Sequence, residues 1–178
     1  MEALDTDDLP AGEAVKLFLD DRTTQAAEIV ALLRDDSNRV LGNWVIHVAN
    51  TPAFRAWRNL GLAELQDSVP ELIEAILAAI RVTASDRTSE SVAQAIDVAA
   101  GHGRARGQAG FPIAALLAEF KALREELGAA LHRAAGDDPA WHEATCELET
   151  RLNTTLDLAL IEAAEGWVEG AFPPTADQ

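Results

Sequence analysis

At 178 residues the chain is long enough for one domain with a proper core and short for two. Thirty acidic residues against 14 basic ones leave a net charge of −16, a surface that repels phosphate backbones and anionic bilayers. It therefore argues against nucleic acid or membrane as a main partner, and otherwise serves solubility. Apolar residues make up 48% of a chain rich in Ala and Leu, poor in aromatics and without Tyr, a mix that favours helix over strand.

The single cysteine, Cys146, excludes an internal disulfide, and no CxxC zinc pattern occurs. No apolar run follows a basic start, and charge interrupts every apolar stretch short of membrane-spanning length. The expectation is a cytoplasmic protein.

Residues 1–11 read as a flexible acidic tail, 12–170 as a single helical domain and 171–178 as a second flexible tail. Within the domain, 12–20 suit a short helix. Residues 23–50 suit one long or two abutting helices, with Ala27, Val30, Leu33, Val40, Trp44 and Val48 in phase and a break at RDDSN (34–38). Thr51-Pro52 ends this segment, and a short piece follows at 62–67. Ser68 and Glu71 form a capping-box pattern ahead of helix 69–82, whose buried face carries Leu72, Ile73, Ile76, Leu77 and Ile80.

After a polar loop at 84–91, a helix at about 89–108 runs through Val92, Ala95, Ile96, Ala99 and Gly103. Gly110-Phe111-Pro112 breaks the chain, with proline suited to the first turn of the next helix. Helix 112–134 has the clearest stripe: Ile113, Leu116, Leu117, Phe120, Leu123, Leu127 and Leu131. Asp138 is placed to cap and Pro139 to begin the last helix, about 139–169, through Trp141, Leu148, Leu152, Leu156, Ala159, Ala163 and Trp167. No segment alternates at period two. The fold class is all-α, a bundle of five to seven helices, with plain and globin-like crossings both compatible with the periodicity.

The stretch GHGRARGQAGF (101–111) sets one His and two Arg among four glycines. A phosphate loop would need a preceding strand and a following Lys-Ser or Lys-Thr, and has neither. On a helix, Ala95, Ala99, His102 and Arg106 share one face at spacings of four, three and four. The glycines then serve close packing and a helix stop. A partly buried Arg106 needs a counter-charge, which Glu119 on the next helix can provide. From spacing alone, His102, Arg106 and Glu119 are either a structural hydrogen-bonded cluster or part of a small sensor or heme pocket.

Other chemistries have weaker support. His132 and His142 could approach across the 135–139 turn, but no HExxH or ExxH spacing supplies a metal site. The expectation is no metal. Heme would require a proximal His in an apolar pocket, with His102 and His47 as candidates. The serines lie in loops or caps without GxSxG, and Cys146 reads as an inert buried thiol. No catalytic residues are expected, and the chain is not read as an enzyme. The four Trp residues are expected in the core, or at a dimer or partner patch where exposed.

His102-Gly-Arg104-x-Arg106, then Gly110-Phe111, then an apolar helix with Glu119-Phe120 and Leu123-Arg124, resembles the N-terminal domain of RsbRD-type proteins. These are RsbT co-antagonists of the bacterial stressosome pathway, and the domain also occurs at the N-terminus of some bacterial histidine kinases and other signalling regulators. The likeness spans about residues 24–134, including Trp44 and LAELQDSVPELIEAI (62–76). It implies a helical sensory or interaction domain, related in role to non-heme globin-like domains that dimerise and relay a signal to an attached output domain. No STAS, kinase or diguanylate cyclase module follows within the 178 residues. The expectation is therefore either a sensor domain of a longer protein or a stand-alone relative acting on a partner protein.

The combined reading is a non-catalytic bacterial signalling domain that dimerises and relays a signal to an output domain or partner. Its polar joint or ligand site comprises His102, Arg104, Arg106, Glu119 and Arg124, and Trp44, His47, Phe111 and Phe120 line the pocket. The alternative is a globin-like sensor of heme or a small hydrophobic molecule.

Overall fold

A computed structural model describes residues 11–57, 66–81 and 90–173. Six α-helices run through these residues: α1 (Ala11–Asp35), α2 (Ser37–Asn50), α3 (Val69–Arg81), α4 (Glu90–Gln108), α5 (Ile113–Ala135) and α6 (His142–Ala171). Short 3-10 turns at Pro52–Trp57 and Pro139–Trp141 complete the described chain, and among the described residues there is no strand. The fold is an all-α bundle.

The short helix expected at 12–20 is instead the start of one continuous helix, α1, and the break at Asp36 falls within RDDSN, as expected. The two tails lie outside the described residues, apart from Ala11, which opens α1, and Ala171 to Pro173, of which Ala171 closes α6. The piece expected at 62–67 lies almost wholly outside them too, as does the side chain of Trp57.

The α1–α2 break is fastened electrostatically. Asp36 receives Arg39 from the next turn, at 2.7 and 2.8 Å to its two oxygens, and Arg133 from the end of α5 at 3.1 Å. The hydrogen bond from Arg39, aided by Arg133, holds the Asp36 carboxyl below its ordinary value against partial desolvation.

α5 lies centrally. It packs against α1, α2 and α6, and its buried stripe is Leu116, Phe120, Leu123, Leu127 and Leu131. Leu117, expected in that stripe, is 46% exposed; a helical step of 100° carries it out of the 3-4 row of its neighbours. Ala27 is likewise exposed, because Ile29, Val30 and Leu33 define the buried face of α1. α3 buries all five expected residues, including Ile76 and Ile80. Asp138 caps the turn before α6 by accepting from the Ala140 N–H at 2.9 Å.

The most extensive helix contact is between α4 and α6. It is close because the seam has almost no side chains. A Cβ on Gly103 would lie 1.8 Å from the Ala163 carbonyl oxygen, and one on Gly107 2.3 Å from that of Trp167. The relation is mutual: Gly166 and Gly170 would meet the carbonyl oxygens of Ala100 and Arg104, each at 2.2 Å. The two backbones therefore lie against each other over two turns. By contrast α4 and α5, joined by a short turn, hardly approach one another by backbone.

Candidate functional site

The gap between α4 and α5 is spanned by long polar side chains. α4 ends at Gln108, Gly110 then turns the chain with a φ of 76°, and the Phe111 N–H closes the turn on the Arg106 carbonyl at 2.9 Å. His102 and Arg106, one helical turn apart on α4, then both reach Glu119 on α5. His102 Nε2 lies 2.8 Å from Glu119 Oε2, and Arg106 Nε donates to Oε1 at 2.9 Å and to Oε2 at 3.3 Å. The three residues are 1%, 3% and 2% exposed. The pairing of Arg106 with Glu119 expected from the sequence is present.

Hydrogen-bond roles follow from charge. An ionised carboxylate only accepts, so Glu119 against the Arg106 guanidinium takes a proton donor from His102 Nε2. The other ring nitrogen, Nδ1, is 3.0 Å from the Ser68 hydroxyl just ahead of α3. A ring that carries its proton on Nε2 accepts from Ser68 there. Ser68, read from the sequence as a helix cap, thus directs its hydroxyl to the histidine.

Aromatic groups enclose the cluster. Trp44, fully buried on α2, donates its indole N–H to the Glu119 carbonyl at 3.0 Å. The Phe120 ring stands edge-on to His102 at 6.3 Å. The Arg106 guanidinium lies 4.9 Å from the centre of the Phe111 ring, which also meets Phe54 edge to face at 5.9 Å. The Phe111 carbonyl accepts from the Trp167 indole of α6 at 2.8 Å. Helices α2, α4, α5 and α6 and the residue that opens α3 therefore converge on one buried polar joint.

The other residues singled out in the sequence stand apart. Arg104 is exposed and reaches across to Glu169 of α6 at 2.7 Å. Arg124 joins Asn153 at 3.1 Å and Asp157, also on α6. His47 is half-exposed between Glu125 and Glu126, at 3.4 and 3.7 Å. His132 faces Glu149 at 3.8 Å and His142 lies 3.9 Å from the Cys146 sulfur. Cys146 is exposed, correcting the buried thiol read from the sequence; Thr145 and Leu148 turn inward while position 146 turns out.

Both ring nitrogens of His102 are engaged, by Glu119 and Ser68. Both nitrogens of His47 face carboxylates. Among the described residues no three His, Cys, Asp or Glu side chains gather as a metal site, and no helix is long and apolar enough to cross a membrane.

Residues 38–171 match the RsbT co-antagonist protein RsbRD N-terminal domain. The chain belongs to this family. The matched span begins within α2 and ends with α6, so it includes every residue of the buried joint. The family is one of regulatory signalling and stress-response domains rather than a class of enzymes. No curated protein and no solved structure matches the chain significantly.

Proposed function

We propose that the chain is a non-catalytic, homodimeric sensor domain of the bacterial cytoplasm that relays a signal to an output domain or partner protein. The relay is a shift of α4 relative to α5, carried to α6. One observation carries this reading: successive residues of α4 face two ways. His102 and Arg106 hold Glu119 on α5, while Gly103 and Gly107 lie directly against the backbone of α6.

The two contacts differ in kind. The α4–α6 seam is backbone on backbone, so α6 must follow when α4 moves. The α4–α5 contact consists of directional bonds between long side chains, which re-pair when a signal changes the geometry around Glu119. A relay through this joint needs a second discrete arrangement of these bonds. Trp167 adds a second link, because its bond to the Phe111 carbonyl ties α6 to the turn beneath Arg106. Membership of a family of co-antagonists agrees with an output made through another protein.

The experiment is NMR relaxation dispersion on the α6 amides from Ala163 to Ala171 and on the His102 ring. Two arrangements in exchange give a common rate at both places, and Glu119→Gln changes the populations. A single rigid state at both places, unaltered by the substitution, contradicts the relay.

A further inference from the structure

The break between α1 and α2 leaves an open cleft of about 320 Å³ against the last turns of α5. Leu32, Ala130 and Ala134 give it an apolar side, and Leu32 is 45% exposed there. Its polar side holds two acids, Asp35 and Asp36, and two bases, Arg39 and Arg133. The volume lies at the small end of ligand sites, which run from about 300 to 1,000 Å³, and suits a metabolite rather than a large cofactor. Leu32, Asp35 and Asp36 precede the span matched to the family, so the family match does not account for the cleft.

The two arginines are spent unequally. Arg39 grips both oxygens of Asp36, through Nε at 2.7 Å and Nη2 at 2.8 Å. Arg133 gives Asp36 a single nitrogen, Nη2, at 3.1 Å. A guanidinium carries five N–H donors, and among the described residues the other nitrogens of Arg133 meet no acceptor. Asp35, exposed at the end of α1, likewise has no ion-pair partner among the described residues. The cleft thus sets an unspent base and an unspent acid beside one apolar wall.

Charge selects the class of ligand. A net charge of −16 repels phosphates and dicarboxylates from the whole surface. Two guanidinium groups at the cleft oppose a simple cation at close range. A zwitterion has no net charge to be repelled. It needs a base and an acid side by side, and the cleft supplies both.

We infer that the cleft binds a free α-amino acid with an apolar side chain. Its carboxylate accepts from the unused N–H groups of Arg133, its ammonium donates to Asp35, and its side chain covers Leu32, Ala130 and Ala134. Asp36 stays with Arg39, so binding breaks no bond of that pair. The bound molecule bridges the end of α1 to the last turn of α5. The inference does not rest on the relay, because none of these residues belongs to the Glu119 joint.

The test is heteronuclear NMR titration of the whole chain with L-alanine, L-valine and L-leucine, with circular dichroism to show that each variant is folded. At least one of the three is expected to bind saturably at millimolar concentration and to shift the amides of Leu32, Asp35, Ala130 and Arg133. Arg133→Met and Asp35→Asn are each expected to weaken that binding about tenfold. Asp35 has no ion pair to lose, so Asp35→Asn keeps the test decisive even where Arg133→Met unfolds. Isocaproate and isoamylamine, which are leucine without its ammonium and without its carboxylate, are expected to bind about tenfold more weakly than L-leucine. No saturable shift with any of the three amino acids, shifts confined to residues outside the cleft, binding indifferent to Asp35→Asn, or an analogue that binds as well as L-leucine overturns the proposal. These variants leave the Glu119 joint untouched, so failure of the cleft and failure of the relay are separately visible.

Discussion

Glu119 is shared by His102 and Arg106, and burial makes each partner dependent on the others. Removing one member of a buried charge pair leaves the other without compensation, which typically costs about 3–5 kcal/mol. Arg106→Met is therefore expected to lower unfolding stability by that amount in urea titration. Adding Glu119→Met to it is expected to recover much of the loss, because the pair is then replaced by apolar groups. Recovery stays incomplete, since His102 Nε2 loses its acceptor, at about 1–3 kcal/mol. Equal stability of wild type and Arg106→Met would mean that the pair contributes nothing. The pair was legible from spacing: Ala95, Ala99, His102 and Arg106 fall on one face, and a charge at the end of an apolar face requires a counter-charge. The hydroxyl of Ser68 at His102 and the bond from Trp44, a pocket residue in the sequence reading, to the Glu119 carbonyl were not. Both depend on where α2 and the start of α3 lie in space, which the local pattern around those residues does not encode.

At the scale of elements, the glycines of α4 are not equivalent. A methyl group on Gly103 has backbone 1.8 Å away, whereas one on Gly101 meets nothing within 4 Å. Gly103→Ala must push α4 from α6 and is expected to cost about 1–3 kcal/mol or more. Gly101→Ala is expected to stabilise the helix by about 0.5–1 kcal/mol. Thermal denaturation of the two variants checks the seam, and similar shifts would contradict it. The break between α1 and α2 carries a pH signature. Because Arg39, with Arg133, holds the Asp36 carboxyl below its ordinary value of 3.8, its contribution is complete above that value and is lost as pH falls through the lowered one. Asp36→Asn is expected to be slightly less stable than wild type at pH 7, by less than about 1 kcal/mol. The difference should close on acidification to about pH 2; a difference independent of pH would argue against the ion pairs. Helix positions were legible for most of the chain, because Pro52, Gly110 and Asp138 act locally. The α4–α6 seam was less so: Gly103 and Gly107 signalled close packing, but nothing in their own neighbourhood named Gly166 and Gly170 as the other side. Leu117 and Cys146 were misread because each sits one residue from a buried position, and at 100° per residue that step separates core from solvent.

Across the whole molecule, the joint and the outer face of α6 belong to one connected unit. The joint is buried where α2, α4 and α5 meet, α4 is locked to α6, and α6 leaves Leu158, Ile161 and Val168 exposed. A rearrangement at Glu119 thus has a short physical route to the surface of α6. The all-α class and the family likeness were both legible in the sequence. The route was not, because it depends on α4 packing on α6 rather than on α5, its neighbour in the chain.

The coupling of the joint to α6 is most directly tested by hydrogen exchange, comparing wild type with His102→Gln peptide by peptide. Faster exchange is expected in α4 and in α6 from Ala163 to Ala171, with the N-terminal half of α6 unchanged. A change confined to α4 and α5, leaving the end of α6 as protected as in wild type, would contradict the coupling.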